Sequence, residues 1–172
     1  RKTFKKIISL TGPFTKKTKI TVFNSPMASF TQGILKDKVK FKEIHIYNQS
    51  KEEIKFFKKK LKQKNVKSID IHLIRTIRIP NKSKKVDAFI SFNDIGHVKD
   101  ISQFVKDVKM ILNKNGKFCF YIKSNFLNMA PNALLIESRK EINKIFKEHK
   151  LKMTYSKKKR FFKTEIFIYG KK

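Results

Sequence analysis

LKMTYSKKKRFFKTEIFIYG, residues 151–170, decides how the rest of the chain is read. Leu151–Tyr155 and Thr164–Gly170 both have strand length and a β-branched or aromatic bias, and only the basic stretch Ser156–Lys163 separates them. Strands joined that closely pair antiparallel, because a parallel neighbour needs a crossover of a dozen or more residues. Upstream the pattern is different. Lys19–Asn24, Glu43–Tyr47, Ser68–Leu73, Asp87–Phe92 and Lys117–Lys123 read as strands, and helical patterns lie between them. Lys51–Lys64 places Ile54, Phe57 and Leu61 at i, i+3 and i+7 with lysines on the other faces, and Ser50 with Glu53 makes a capping box. Ile101–Asn113 carries a stripe of Phe104, Val105, Val108, Ile111 and Leu112, with Asn115-Gly116 as a left-handed stop, and Ala133–His149 reads as a third helix. Strands alternating with helices imply a parallel sheet covered on both faces. The expected fold is therefore α/β: a mostly parallel sheet that ends in an antiparallel hairpin.

The 172 residues have room for one domain, 1–172, and no repeat, linker or composition break divides them. Forty-three Lys+Arg stand against thirteen Asp+Glu, a formal net charge of +30. With 40% hydrophobic residues and seventeen Phe, this is a folded cationic domain, not a disordered basic tail. Its partner is a polyanion. Apolar runs fall far short of the roughly 20 residues that span a bilayer, so no membrane span is expected. The single cysteine, Cys119, alternates into the sheet and reads as a buried small hydrophobe. His45 and His72 lie on separate strands with no paired Cys or Asp joining them, so no metal site is expected. Asp94 and His97 follow the fourth strand, where a general base could stand; a solvated loop and helix cap is the plainer reading.

A Rossmann-like, seven-stranded sheet finished by an antiparallel hairpin resembles the class I S-adenosylmethionine-dependent methyltransferases. Thr21–Gln32, TVFNSPMASFTQ, is similar to the first strand and cofactor loop of the FtsJ-like family of RNA 2′-O-ribose methyltransferases. Family members carry a small-residue turn with paired glycines, then an aromatic and Ser-Gln. Here Ser25-Pro26-Met27-Ala28-Ser29 occupies the turn and Phe30-Thr31-Gln32 follows it, without either glycine. The resemblance places cofactor contacts at Asn24, Ser25, Ala28, Ser29 and Asn48, the last standing where an acid usually holds the ribose hydroxyls. It also matches a catalytic Lys-Asp-Lys-Glu set to Lys5, Lys123 and Glu165. Phe92 stands at the fourth position, and a shift of two residues makes Asp94 the substitute. Read from the residues alone, Lys123 is equally a surface lysine, and Glu165 a charge pairing with Lys157–Arg160 across the hairpin.

Missing glycines and an incomplete set imply a degenerate methyltransferase with no cofactor, retained as an RNA-binding, rRNA-associated component of a ribosome or other ribonucleoprotein beside neighbouring subunits. The compartment implied is a mitochondrial or other organellar ribosome, otherwise the cytoplasm. The alternative is an active S-adenosylmethionine-dependent rRNA 2′-O-methyltransferase, and a second is a basic module for acidic protein partners. Lys16, Lys17, Lys58, Lys59, Lys60, Lys157, Lys158, Lys159 and Arg160 are the expected phosphate contacts, since clustered lysines bind nucleic-acid backbone with little sequence discrimination.

Overall fold

The computed structural model describes residues 2–23, 30, 33–34, 36–63, 68–80, 84–123, 130–160 and 163–172. In chain order the elements are α1 (Lys2–Thr11), β1 (Lys19–Phe23), β2 (Glu43–Asn48), α2 (Lys51–Gln63), β3 (Ile69–Leu73) and β4 (Val86–Phe92). A 3-10 turn at Asp94–Gly96 follows, then α3 (Ile101–Ile111), β5 (Leu112–Lys123), α4 (Ala133–Glu137), α5 (Arg139–Glu148), β6 (Lys152–Arg160) and β7 (Lys163–Lys171). The seven strands form one sheet in the order β3-β2-β1-β4-β5-β7-β6. β3, β2, β1, β4 and β5 run parallel; β7 enters antiparallel beside β5, and β6 pairs with it as a hairpin. This is the Rossmann-like architecture of class I methyltransferases.

Alternation along the strands divides the core into two layers. One face carries Phe4 and Ile7 of α1 and Ile54, Phe57 and Leu61 of α2 against Ile20, Val22, Ile46, Ile71 and Phe167. The other carries Phe104, Val105 and Val108 of α3 and Ile142 and Phe146 of α5 against Phe89, Phe118, Phe120 and Ile168. Burial of each such Phe contributes about 1.5–3 kcal/mol, and Phe23, Phe30, Phe89, Phe118, Phe120, Phe146 and Phe167 are fully buried. The Phe-rich composition is therefore core, which leaves the lysines for the surface.

Four local expectations need correction. α1 was not anticipated, although Phe4, Ile7, Ile8 and Thr11 have helical spacing. The helix expected over residues 133–149 is two helices, because Ser138 caps the second by accepting from Glu141 N at 3.3 Å. Ser-x-x-Glu at 138–141 is the capping pattern that marks the break. α3 passes into β5 without a loop, and Asn115, not Gly116, takes the left-handed conformation at φ 64°. The register shift there sets Val86 opposite Leu112 but Ala88 opposite Lys117, so residues 113–116 bulge from the ladder. Finally, β6 runs on to Arg160, through most of the basic stretch expected to be the connection.

Candidate functional site

In open α/β sheets ligands bind beyond the carboxyl ends of the strands, where the strand order reverses. Here that point lies between β1 and β4. β1 ends at Phe23, stacked on Tyr47 with ring centroids 4.9 Å apart; residues 24–29, with the expected contacts Asn24, Ser25, Ala28 and Ser29, lie outside the described residues.

Asn48, the last residue of β2, is buried and engaged. Its Oδ1 accepts from Ser50 N at 2.7 Å, and its Nδ2 donates to Glu53 Oε2 at 3.1 Å. Glu53 N donates to Ser50 Oγ at 3.1 Å, so the capping box forms by half: the Glu53 carboxylate turns to Asn48, not back to Ser50 N. A carboxylate thus reaches the end of β2 from the first turn of α2, although the strand itself ends in an amide. The capping pattern pointed to Glu53, but only as a cap.

β4 and β5 end together. Asn93, in the left-handed region at φ 62°, donates its N–H to Tyr121 O at 2.8 Å and accepts from Lys123 N through Oδ1 at 3.0 Å. Asparagine tolerates that conformation better than most residues. Asp94 is buried, and its Oδ2 accepts from Ser91 Oγ at 2.9 Å, while His97 is exposed. Asp94 is therefore held inside the turn after β4 by Ser91.

Two of the expected set, Lys123 and Glu165, do meet. Lys123 of β5 is the direct cross-strand partner of Glu165 of β7, which is the partner of Lys158 of β6. Directly opposed residues project from the same sheet face, so Lys–Glu–Lys forms a row across three strands. Glu165 Oε1 accepts from Tyr121 Oη at 2.6 Å and, more distantly, from Thr3 Oγ1 of α1 at 3.5 Å. Burial, reinforced by the Glu165 carboxylate, pushes the Tyr121 phenol above its ordinary range, so it donates and does not ionise. The expected pairing of Glu165 with Lys157–Arg160 does not form among the described residues; Lys157 reaches Glu137 at 3.4 Å instead. Lys5 follows Thr3 by two residues and is exposed. Beneath this corner an aromatic chain runs from Phe4 to Phe30, Phe92, Tyr121 and Phe167, with centroid spacings of 5.5, 5.5, 6.1 and 5.0 Å. Lys6 Nζ lies 3.8 Å from the Phe167 ring centroid.

The expected phosphate contacts are dispersed. Lys16 and Lys17 precede β1 at the sheet edge where the parallel strands begin. Lys58 and Lys59 are exposed on α2, and Lys60 packs its ammonium 4.4 Å from the centre of the Phe56 ring. Lys157, Lys158 and Lys159 lie beside the ending edge, while the Arg160 side chain is outside the described part.

Two other groups are settled by their surroundings. Burial pushes the Cys119 thiol up to about 12, as expected of an inert core cysteine. His45 and His72 stand side by side on adjacent strands, Nδ1 to Nε2 3.2 Å, with Asp70 Oδ2 3.7 Å from His45 Nδ1. Separate strands did not keep them apart, because β2 and β3 are neighbours. Even so, among the described residues no group of three or more His, Cys, Asp or Glu is placed to hold a metal ion, and no helix is long and apolar enough to cross a membrane.

Residues 28–120 match the model of the methyltransferase domain family, more than half of the chain, and the chain belongs to that family. Its fold is similar to that of the YcgJ protein of Bacillus subtilis, with TM-score 0.75 and 11% identity over 99% of this chain and 98% of that one. A SAM-dependent methyltransferase from Aquifex aeolicus gives TM-score 0.67 and 12% identity, covering 96% and 88% of the two chains. Geranyl diphosphate C-methyltransferase from Streptomyces coelicolor gives 0.75 and 8%, covering 99% and 79%. A sequence search of curated proteins finds no match.

These findings overturn the FtsJ-like assignment. The matching family is the general methyltransferase domain, and the similar structures include a small-molecule enzyme. Strand-end lysines are easily matched in a chain with 43 basic residues, and an aromatic-Thr-Gln run is too short to separate one branch of a fold from another.

Proposed function

We propose that the chain is an S-adenosylmethionine-dependent methyltransferase domain, with its cofactor over the ends of β1, β4 and β2. The observation that carries the reading is the strand order, which sets a switch point between β1 and β4 in a chain of the methyltransferase domain family. The residues at the end of β2 fit the cofactor's ribose: Glu53 offers the carboxylate that a diol needs, and its hydrogen bond from Asn48 Nδ2 positions it. Asn93 bridges β4 and β5, fixing the far wall of the crevice. Bound there, the cofactor supplies an electrophilic methyl group on a sulfonium. The protein's task is to orient it and bring an acceptor to the same edge. This reading is favoured over a purely structural role because the degenerate assignment depended on the FtsJ-like motif.

Isothermal titration with S-adenosylmethionine tests the proposal, with a dissociation constant in the micromolar range expected, roughly −8 kcal/mol. Glu53→Ala is expected to weaken binding about tenfold, a loss of about 1.4 kcal/mol, while the Ser50 cap to the backbone remains. Absence of binding by the unaltered protein overturns the reading.

A further inference from the structure

Eight of the thirteen carboxylates bear on where positive charge is left over. Near the beginnings of the strands, Glu43 pairs with Lys19 at 3.0 Å, and Asp87 accepts from Lys19 N and Asn113 Nδ2. Asp100 caps α3, and Asp107 accepts from Gln103. Beyond the strand ends, Asp94 accepts from Ser91 and Glu53 from Asn48. At the hairpin side, Glu137 is taken by Lys157 and one Glu165 oxygen by Tyr121 and Thr3. Among the described residues no carboxylate lies within ion-pair distance of Lys5, Lys123, Lys158 or Lys159.

We infer that Lys5, Lys123 and Lys158, with Lys159 on the opposite sheet face, form a docking corner for the phosphate backbone of a nucleic acid. Lys123 and Lys158 flank Glu165 in one cross-strand row, and Thr3 ties the first turn of α1 to that row. The first turn of α1 carries no acid beside Lys2 and Lys5, and the helix dipole itself disfavours cations there. Cations that outnumber the one carboxylate among them are satisfied by an external polyanion, and counterion release then drives binding. A membrane surface or an acidic protein would ask for bulky apolar contacts as well. The exposed large hydrophobics among the described residues are Phe56, Leu73, Met110 and Leu134, and none belongs to the corner. This inference deepens the methyl-transfer reading by naming the class of acceptor and rests on it only for the acceptor's role, since docking itself needs no cofactor.

The test is fluorescence anisotropy of labelled 20-nucleotide single-stranded RNA and DNA homopolymers across a salt series, without cofactor. Two variants with the same change in net charge are compared: Lys5→Glu/Lys158→Glu at the corner and Lys16→Glu/Lys17→Glu at the opposite edge. The corner variant is expected to lose about tenfold or more in affinity at about 0.15 M salt, and its slope of log K against log salt to fall by about 1.4, for two lost contacts at about 0.7 each. The opposite-edge variant is expected to change affinity about threefold or less. The RNA and DNA arms distinguish the two sources of backbone, and binding of either supports the corner. Equal losses in both variants, or binding only to anionic vesicles or to neither polymer, overturn it. Lys5→Gln/Lys158→Gln repeats the test should the charge reversal disturb folding. Failure of cofactor binding with docking intact would remove the methyl-transfer reading alone.

Discussion

The two edges of the sheet hold their lysines in different ways. At the edge where the parallel strands begin, ammonium groups are used within the fold. Lys19 meets Glu43, Lys117 donates to Gly12 O, and Lys85 and Lys172 donate to Met110 O and Leu112 O at the carboxyl end of α3. A helix C-terminus attracts cations, and Lys172 is desolvated enough there, with Lys85 and Lys109 nearby, for its pKa to fall below the ordinary lysine value. At the hairpin end of the other edge, Lys5, Lys123, Lys158 and Lys159 have no such partners among the described residues. One residue type thus serves two purposes, and composition counts them alike. Net charge counts the cations; the hydrogen bonds and ion pairs show which of them the fold itself uses.

Removing the hairpin would break this contrast most severely. A Cβ on Gly170 would fall on the Lys152 carbonyl oxygen, between strands that cannot part without loss of the ladder. Gly170→Val is expected to cost about 3 kcal/mol or more, read as a lower denaturation midpoint, and to abolish nucleic-acid docking while β1–β4 keep their order. Tyr121→Phe acts more locally. It deletes the 2.6 Å hydrogen bond to Glu165, costs about 1–2 kcal/mol, and releases a carboxylate to pair with Lys123 or Lys158. Docking affinity should fall with it, although no cation has been removed. Lys172→Gln probes the opposite edge: a loss of about 0.5 kcal/mol in stability is expected, with docking reduced no more than by Lys16→Gln.

The smallest effect is a pH dependence on the outer strand β3. Burial, then the charges of His45 and Lys58, lowers the His72 pKa, with Asp70 opposing. A histidine whose folded pKa is depressed is bound to fewer protons in the folded than in the unfolded state, so stability falls as pH drops below about 6.5. His72→Gln should flatten denaturant midpoints measured between pH 7 and pH 5, and an unchanged pH profile would count against this origin.

The seven strands and their alternation with helices were legible because short apolar runs and amphipathic stripes obey simple periods. Ile54, Phe57 and Leu61 fell on one buried face, as their spacing requires. The hairpin was legible in kind but not in extent, since lysines on an outer strand can project into solvent while their backbone stays in the ladder. α1 escaped because Lys5 was matched to the catalytic set, although Phe4 and Ile7 on either side of it begin a helical stripe. At the site, Lys123 and Glu165 were correctly placed at strand ends, but cross-strand register is a property of two segments at once. The Tyr121 hydroxyl claims Glu165 only after β5 and β7 align. Asp94 was chosen by distance along the chain, which carries no information about the buried serine that holds it.

Gly33 leaves a space that a side chain of another element fills. A Cβ there would lie 2.8 Å from Cγ of Phe4, so the Phe4 ring of α1 fills the space a side chain would take. Phe30 meets Phe4 edge-on and, beyond it, Phe92 at the end of β4. A shift of α1 must therefore displace rings that back onto the end of the fourth strand. If the proposed docking corner and the proposed cofactor site act on one another through these rings, whatever factor one exerts on the affinity of the other is returned in full.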